Sequence, residues 1–307
     1  MPENYRIPED PEQIDLLVFD VDGVLIDTSR SFPLAISRAV GQYGDLLGIA
    51  DWEKPPLEEV QAFKTVSGFN NDWDLAEGLL VYRLSRVLLE VDISLEDFLH
   101  SLIQVSGGGL PGVHAWIRSQ HQPDAEKVTM FYHPSVIRRL AMEHYAGMEY
   151  CELLYGLEPK FEICSGTIQS EEVVVDVDLL QELPGGLGIY TGRNEQELQL
   201  ALDRIGYGGW QPENLIFDGD STPIKPNPEP LYQMARRHSA EHMIFVGDSR
   251  DDFLTIENYR DRYSTPAAYF VQIGEQAFDE GVTVFTDVNA LLRILCEQNQ
   301  NSTRRRP

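Results

Sequence analysis

Basic residues are scarce: 24 Lys and Arg stand against 50 Asp and Glu, for a formal net charge of -26 and an isoelectric point near 4.5. A field of that sign repels polyanions, which argues against DNA, RNA or an anionic membrane surface as partner. Cysteine is equally sparse. Cys151, Cys164 and Cys296 show no metal-ligand spacing, and an odd count gives no disulfide framework, so a reducing cytoplasm is the expected setting. No apolar run reaches the ~20 residues of a membrane span, and residues 1–15 are polar and acidic without a signal core. There is no internal repeat and no low-complexity tract, and the polar tail 298–307 is expected to be unstructured.

What the chain does contain is ample apolar material, 42% over 307 residues, enough for one large domain or two ordinary ones. Short apolar runs predict strands over residues 16–19, 187–190, 215–217, 243–246, 268–273 and 282–285. Helical patterns lie between them. Leu198, Ala201, Leu202 and Ile205 recur at helical spacing before a stop at Gly206, and Asp287 is placed to cap a final helix through Leu291, Leu292 and Leu295. Alternation of this kind predicts an α/β fold with a Rossmann-like parallel sheet, formed by residues 1–29 and 184–307.

Residues 30–183 break the alternation and read as a mainly helical inserted domain covering the site, with helices over 32–43, 57–64, 74–91, 95–105 and 135–145. Within it, Gly107-Gly108-Gly109-Leu110-Pro111-Gly112 reads as a flexible linker or lid tip. A phosphate cradle is disfavoured there, because no strand ends before it and no Gly-Lys-Ser/Thr follows. The stretch 172–177 is β-prone and reads as a short ribbon or a last strand before the hinge.

The most informative residues are Asp20-Val21-Asp22-Gly23-Val24, where the first predicted strand opens into a turn. Gly23 supplies the backbone freedom for such a turn. Two buried acids so close together repel and take up protons unless a cation neutralises them, so the pair implies a metal. Three further elements follow, each after its own apolar run: Thr191; Lys225 between prolines in Thr222-Pro223-Ile224-Lys225-Pro226-Asn227-Pro228; and Asp248 with Asp252. In open parallel sheets ligands bind outside the carboxyl ends of the strands, which is where these residues fall.

Taken together and in this order, the four elements resemble the motifs of the haloacid dehalogenase superfamily, subfamily I, with a helical cap inserted between the first and second. The resemblance implies a phosphohydrolase acting on a small phosphorylated metabolite. Asp20 would be the nucleophile that forms an aspartyl-phosphate, and Asp22 the acid and base. An acid at the Asp22 position is the pattern of phosphatases and phosphomutases, and disfavours carbon–halogen cleavage. Thr191, with the amides of Gly192 and Arg193, would hold phosphoryl oxygens, and Lys225 would meet charge on the nucleophile and the transferring group. The implied cofactor is Mg2+, held by Asp20, the Asp22 carbonyl, Asp248 and Asp252, with Asp252 direct or through water. Asp251 is expected to be a hydrogen-bonding neighbour or a surface acid.

Substrate choice is expected to lie in the insertion, where the run from Phe63 to Asp74 offers Lys64, Asn70, Asn71 and Trp73 as contacts. Asn71 or Asp72 could instead cap the following helix, and Trp73 could belong to a core. This run is similar to a branch of capped members from archaea and cyanobacteria, some of which accompany histidine-biosynthesis modules, so histidinol phosphate joins the possible substrates. Two other functions fit the same motifs: a sugar-phosphate mutase, and a catalytically quiet protein that binds a partner through its acidic insertion. A monomer or homodimer is expected.

Overall fold

The structure is a computed structural model and describes residues 14–69, 71–89, 93–183, 185–219 and 222–305. The chain divides into two compact units, Thr28–Glu171 and the sequence on either side of it.

The flanking sequence builds the α/β unit. Its strands are β1 (Leu16–Phe19), β2 (Ile26–Asp27), β3 (Glu172–Val173), β4 (Gly186–Tyr190), β5 (Leu215–Ile216), β6 (His242–Gly247), β7 (Ala267–Ile273) and β8 (Thr283–Phe285). Six of them form a parallel sheet in the order β5-β4-β1-β6-β7-β8. β1 is central and buried on both faces, which is why it reads as an unbroken apolar run. Its side chains alternate: Leu17 and Phe19 join one core cluster, Leu16 and Val18 the other. Each fully buried side chain of this size contributes roughly 1.5–3 kcal/mol. β2 and β3 pair separately and antiparallel, Ile26 with Val173 and Asp27 with Glu172, where the chain leaves this unit and returns to it.

The sequence between is helical: α1 (Phe32–Leu47), α2 (Leu57–Lys64), α3 (Asp72–Leu88), α4 (Leu95–Ser106), α5 (Gly109–Ser119), α6 (Gln122–Phe131) and α7 (Pro134–Tyr155). Its interior holds an aromatic group in which Phe32 stacks on Tyr145 at 4.2 Å and both rings approach Trp73. Neither α5 nor α6 is among the helices expected from sequence. The glycine run is not a flexible linker either. Gly107 ends α4 in the left-handed conformation, and a Cβ at Gly108 would lie 2.4 Å from the Ser67 carbonyl oxygen, so this is a tight helix-to-helix turn pressed against backbone. α7 is longer than expected and is kinked at Gly147, with φ 65° and ψ -177°.

The chain completes the α/β unit with α8 (Val177–Glu182), α9 (Glu195–Ile205), α10 (Glu229–Arg237), α11 (Arg250–Arg262) and α12 (Val288–Arg305). Residues 172–183, expected with the insertion, lie in this unit: Val175 and Leu180 are buried in the same cluster as Leu17 and Leu291. Asp287 Oδ1 accepts from the Ala290 amide at 3.0 Å and starts α12, which continues to Arg305 through residues expected to be unstructured.

Candidate active site at the carboxyl ends of the central strands

β4, β1 and β6 are neighbours in the sheet, so the residues that follow them come together although they are far apart in sequence. β1 and β6 also flank the point where the strand order reverses, the usual ligand crevice of an open parallel sheet. Asp20 follows β1. Its amide donates to the Val246 carbonyl at 2.9 Å, and its Oδ1 accepts from the Val21 amide at 2.7 Å. Residues 21–26 then fold into a turn, with Gly23 at φ 71° donating to the Ile26 carbonyl.

Lys225 reaches this group from the loop between β5 and α10. Its Nζ lies 3.0 Å from Asp20 Oδ1 and 2.6 Å from Asp252 Oδ1, with all three residues buried. Tyr190 and Phe245 rings stand 5.7 and 5.5 Å from the ammonium. The Tyr190 hydroxyl donates toward the carbonyls of Pro223 and Asn227, which ties the lysine loop to the end of β4.

Asp252 sits in the first turn of α11. Its Oδ2 accepts from the amides of Asp248 and Ser249 and from the Ser249 hydroxyl, a capping arrangement that fixes the carboxylate. Asp20, Asp248 and Asp252 offer carboxylate oxygens all within 4.8 Å of one another. Asp251 is buried, and therefore not the surface acid that was one of its two expected roles.

Electrostatics makes this crowd unstable by itself. Burial, chiefly, pushes the Asp20 carboxyl well above the usual range; Lys225 opposes the rise, and Asp252 and Asp22 add to it. Burial disfavours the Lys225 ammonium, but Asp20 and Asp252 outweigh it and hold its proton more tightly than usual. Three carboxylates against one ammonium leave two negative charges uncompensated. Neither Lys225 Nζ nor Asp252 Oδ1 has a hydrogen-bond partner of good geometry, although both are shielded from solvent. A Cβ on Gly23 would lie 2.0 Å from Asp248 Oδ2, so the turn and that carboxylate approach as closely as glycine allows. An all-oxygen set with this residual charge fits a hard divalent cation.

Thr191 follows β4, its amide donating to the Ile216 carbonyl at 3.0 Å. Its Oγ1 accepts from the Arg193 amide at 3.2 Å, and Gly192 between them is half-buried. Beyond the amide expected to face phosphoryl oxygens, Arg193 contributes its side chain to the site. It is buried, and its Nε and Nη2 donate to Asp22 Oδ1 at 2.9 and 2.6 Å. The only sequence signal for it was a basic residue two places beyond Thr191.

The expected substrate contacts of the helical unit have other surroundings. Asn71 Oδ1 accepts from the amides of Trp73 and Asp74 and caps α3. Trp73 is buried among Phe32, Tyr145 and Tyr155. Lys64 pairs with Asp72 at 3.0 Å and is partly exposed. Asn70 lies outside the described residues. No helix among the described residues is long and apolar enough to cross a membrane.

Residues 14–259 match the family described as haloacid dehalogenase-like hydrolase. Among solved structures, the chain is similar to phosphatase Tt82 from Thermococcus thioreducens, with 27% identity, a TM-score of 0.63, and coverage of 92% of this chain and 99% of that one. A candidate phosphoglycolate phosphatase from Lactobacillus delbrueckii subsp. bulgaricus shares the fold, with 12% identity, a TM-score of 0.51, and coverage of 92% and 98%. No curated protein matches the chain.

Proposed function

The chain belongs to the haloacid dehalogenase-like hydrolases, and from that premise we propose that it is a Mg2+-dependent phosphatase that cleaves a small phosphate monoester through an aspartyl-phosphate on Asp20. The observation that carries this reading is the convergence of buried Asp20, Lys225 and Asp252 with the more exposed Asp248 in one group. The similarity to the Thermococcus phosphatase supports it. Asp20, Asp248, Asp252 and the main-chain carbonyl of Asp22 would hold the ion. When bound, Mg2+ supplies positive charge that keeps Asp20 ionised and offsets charge on the phosphoryl oxygens.

In the first step an Asp20 carboxylate oxygen attacks phosphorus while the bond to the ester oxygen breaks. Asp22 gives that leaving oxygen a proton. In the second step water attacks the phosphorus of the aspartyl-phosphate, Asp22 takes the water's proton, and the bond to Asp20 breaks to release phosphate. Splitting one difficult displacement into two easier ones is the gain from the covalent route. Thr191 Oγ1 accepts from the Arg193 amide, so its own proton is available to a phosphoryl oxygen. Lys225, fixed between Asp20 and Asp252, meets charge on both nucleophile and phosphoryl group without reorganising. The substrate would be a small cytoplasmic metabolite, consistent with three unpaired cysteines.

Phosphate release from a panel of sugar phosphates, phosphoglycolate, nucleoside monophosphates and histidinol phosphate, with Mg2+ and with chelator, tests this. Turnover should need the ion and vanish in Asp20→Asn. Phosphate release that persists in chelator or in that variant would overturn the reading.

A further inference from the structure

Arg193 has no assigned role for its side chain, yet it is among the most buried large side chains of the protein. Its backbone is held on both sides. The amide donates to Thr191 Oγ1 and the carbonyl accepts from the Asp218 amide at 2.8 Å, while the next residue, Asn194, caps α9. The guanidinium is held at its far nitrogen too, where Nη1 meets the Glu197 carbonyl at 3.5 Å. A planar, permanently charged fork so constrained has little freedom of its own. Both of its short contacts with Asp22 fall on the same oxygen, Oδ1, so the guanidinium does not take up Oδ2.

We propose that Arg193 is the positioning residue for Asp22. It clamps the carboxylate by Oδ1 and so presents Oδ2 to the ester oxygen and then to the attacking water. The inference rests on the proposed acid and base role of Asp22. Asp22 lies within the turn, directly before Gly23, and keeps a quarter of its side chain exposed, so without the clamp its carboxylate samples several rotamers. Only some of them reach the leaving oxygen. The clamp therefore matters in proportion to how much the leaving group needs a proton.

A series of aryl phosphates ending in p-nitrophenyl phosphate, together with glycerol 2-phosphate, separates this from a purely structural ion pair. For Arg193→Gln, kcat/KM on glycerol 2-phosphate, which reports the first step alone, should fall by about 10- to 100-fold, within the range of a general acid's contribution. On p-nitrophenyl phosphate, whose leaving group departs without a proton, the fall in kcat/KM should be at most about 3-fold. Arg193→Lys, which keeps the charge but loses the fork, should lie between the two. A loss of kcat/KM equal across all leaving groups, or none, overturns the assignment. So does an Arg193→Lys protein that fails to fold, because the contact would then serve the fold. Asp22→Asn is the control: if it shows no dependence on the leaving group, the acid role itself fails. If it does and the Arg193 variants do not, only the clamp fails.

Discussion

At Gly23 a single missing carbon decides whether the acidic group can assemble. A Cβ there would sit 2.0 Å from Asp248 Oδ2, and the residue has φ 71°, where an L side chain costs about 1–2 kcal/mol. Gly23→Ala should therefore displace Asp248 before it disturbs the sheet. The expected outcome is a rise of at least about 10-fold in the Mg2+ needed for half-maximal activity, and a smaller Mg2+-induced shift in melting temperature, since the loss of one carboxylate ligand weakens a hard-cation site. Unchanged metal dependence in both assays would show that the Asp248 carboxylate is not a ligand. The residue scale is also where the sequence was most and least readable. Asp20 and Asp248 announce themselves because an acid directly after an apolar run needs a reason. Asn71 and Trp73 look the same whether they cap and pack or touch a ligand, and only three-dimensional neighbours separate these roles. The Arg193 side chain carried no periodicity or spacing signal, because its partner lies 171 positions away.

Two elements of the helical unit carry their own tests. α7 bends at Gly147, whose φ 65° and ψ -177° belong to a region open essentially to glycine. A Cβ there would be 2.3 Å from the Gly166 amide nitrogen. Gly147→Ala should destabilise the protein by at least about 2 kcal/mol in urea unfolding, combining backbone strain with overlap against backbone that cannot yield. A cost under about 0.5 kcal/mol would mean that the two segments can separate freely. On the same helix, His144 is buried with Nε2 at 2.8 Å from Gln42 Oε1, and burial first, then Arg38, lowers its pKa from 6.5 to about 4 despite Glu143. The neutral ring is the form the fold accepts. Its stabilising contribution is thus complete above pH 6.5 and is lost as pH falls towards 4, by at most about 3 kcal/mol. In melting curves over that window, His144→Gln should lose less stability than the natural protein; parallel curves would sink the assignment. The strands were legible because a fully buried parallel strand is an apolar run. α5 and α6 were hidden: α5 opens on glycine and proline, and α6 buries only Val128 among its apolar residues, too little to leave a stripe.

Across the whole molecule, the charge of -26 is concentrated in one respect that matters for folding: three acids of the α/β unit share a space that one ammonium only partly neutralises. A ligand bound by the native state and ignored by the unfolded chain stabilises it by mass action, about 2.7 kcal/mol at 100 times its dissociation constant. Millimolar Mg2+ should accordingly raise the melting temperature by several degrees over chelator, and Asp248→Asn should abolish most of the rise. An equal rise in the variant would point to general screening of a highly anionic protein. The parallel-sheet class and the site at the carboxyl ends of the strands followed from pattern and motif, whereas the order of strands in the sheet did not. The border of the inserted part did not, because residues 172–183 are too short and too mixed to declare which core they join.

The pairing of Asp27 with Glu172 means that departure and re-entry of the polypeptide occur side by side. Everything from Thr28 to Glu171 is therefore an interlude that a few-residue hairpin could replace, since closing so narrow a gap costs little chain entropy. A shortened protein carrying an Asn-Gly link between Asp27 and Glu172 should still fold cooperatively and show the Mg2+-induced thermal shift. Exchange of the interlude between relatives would then be an inexpensive route to new substrates on an unchanged catalytic frame.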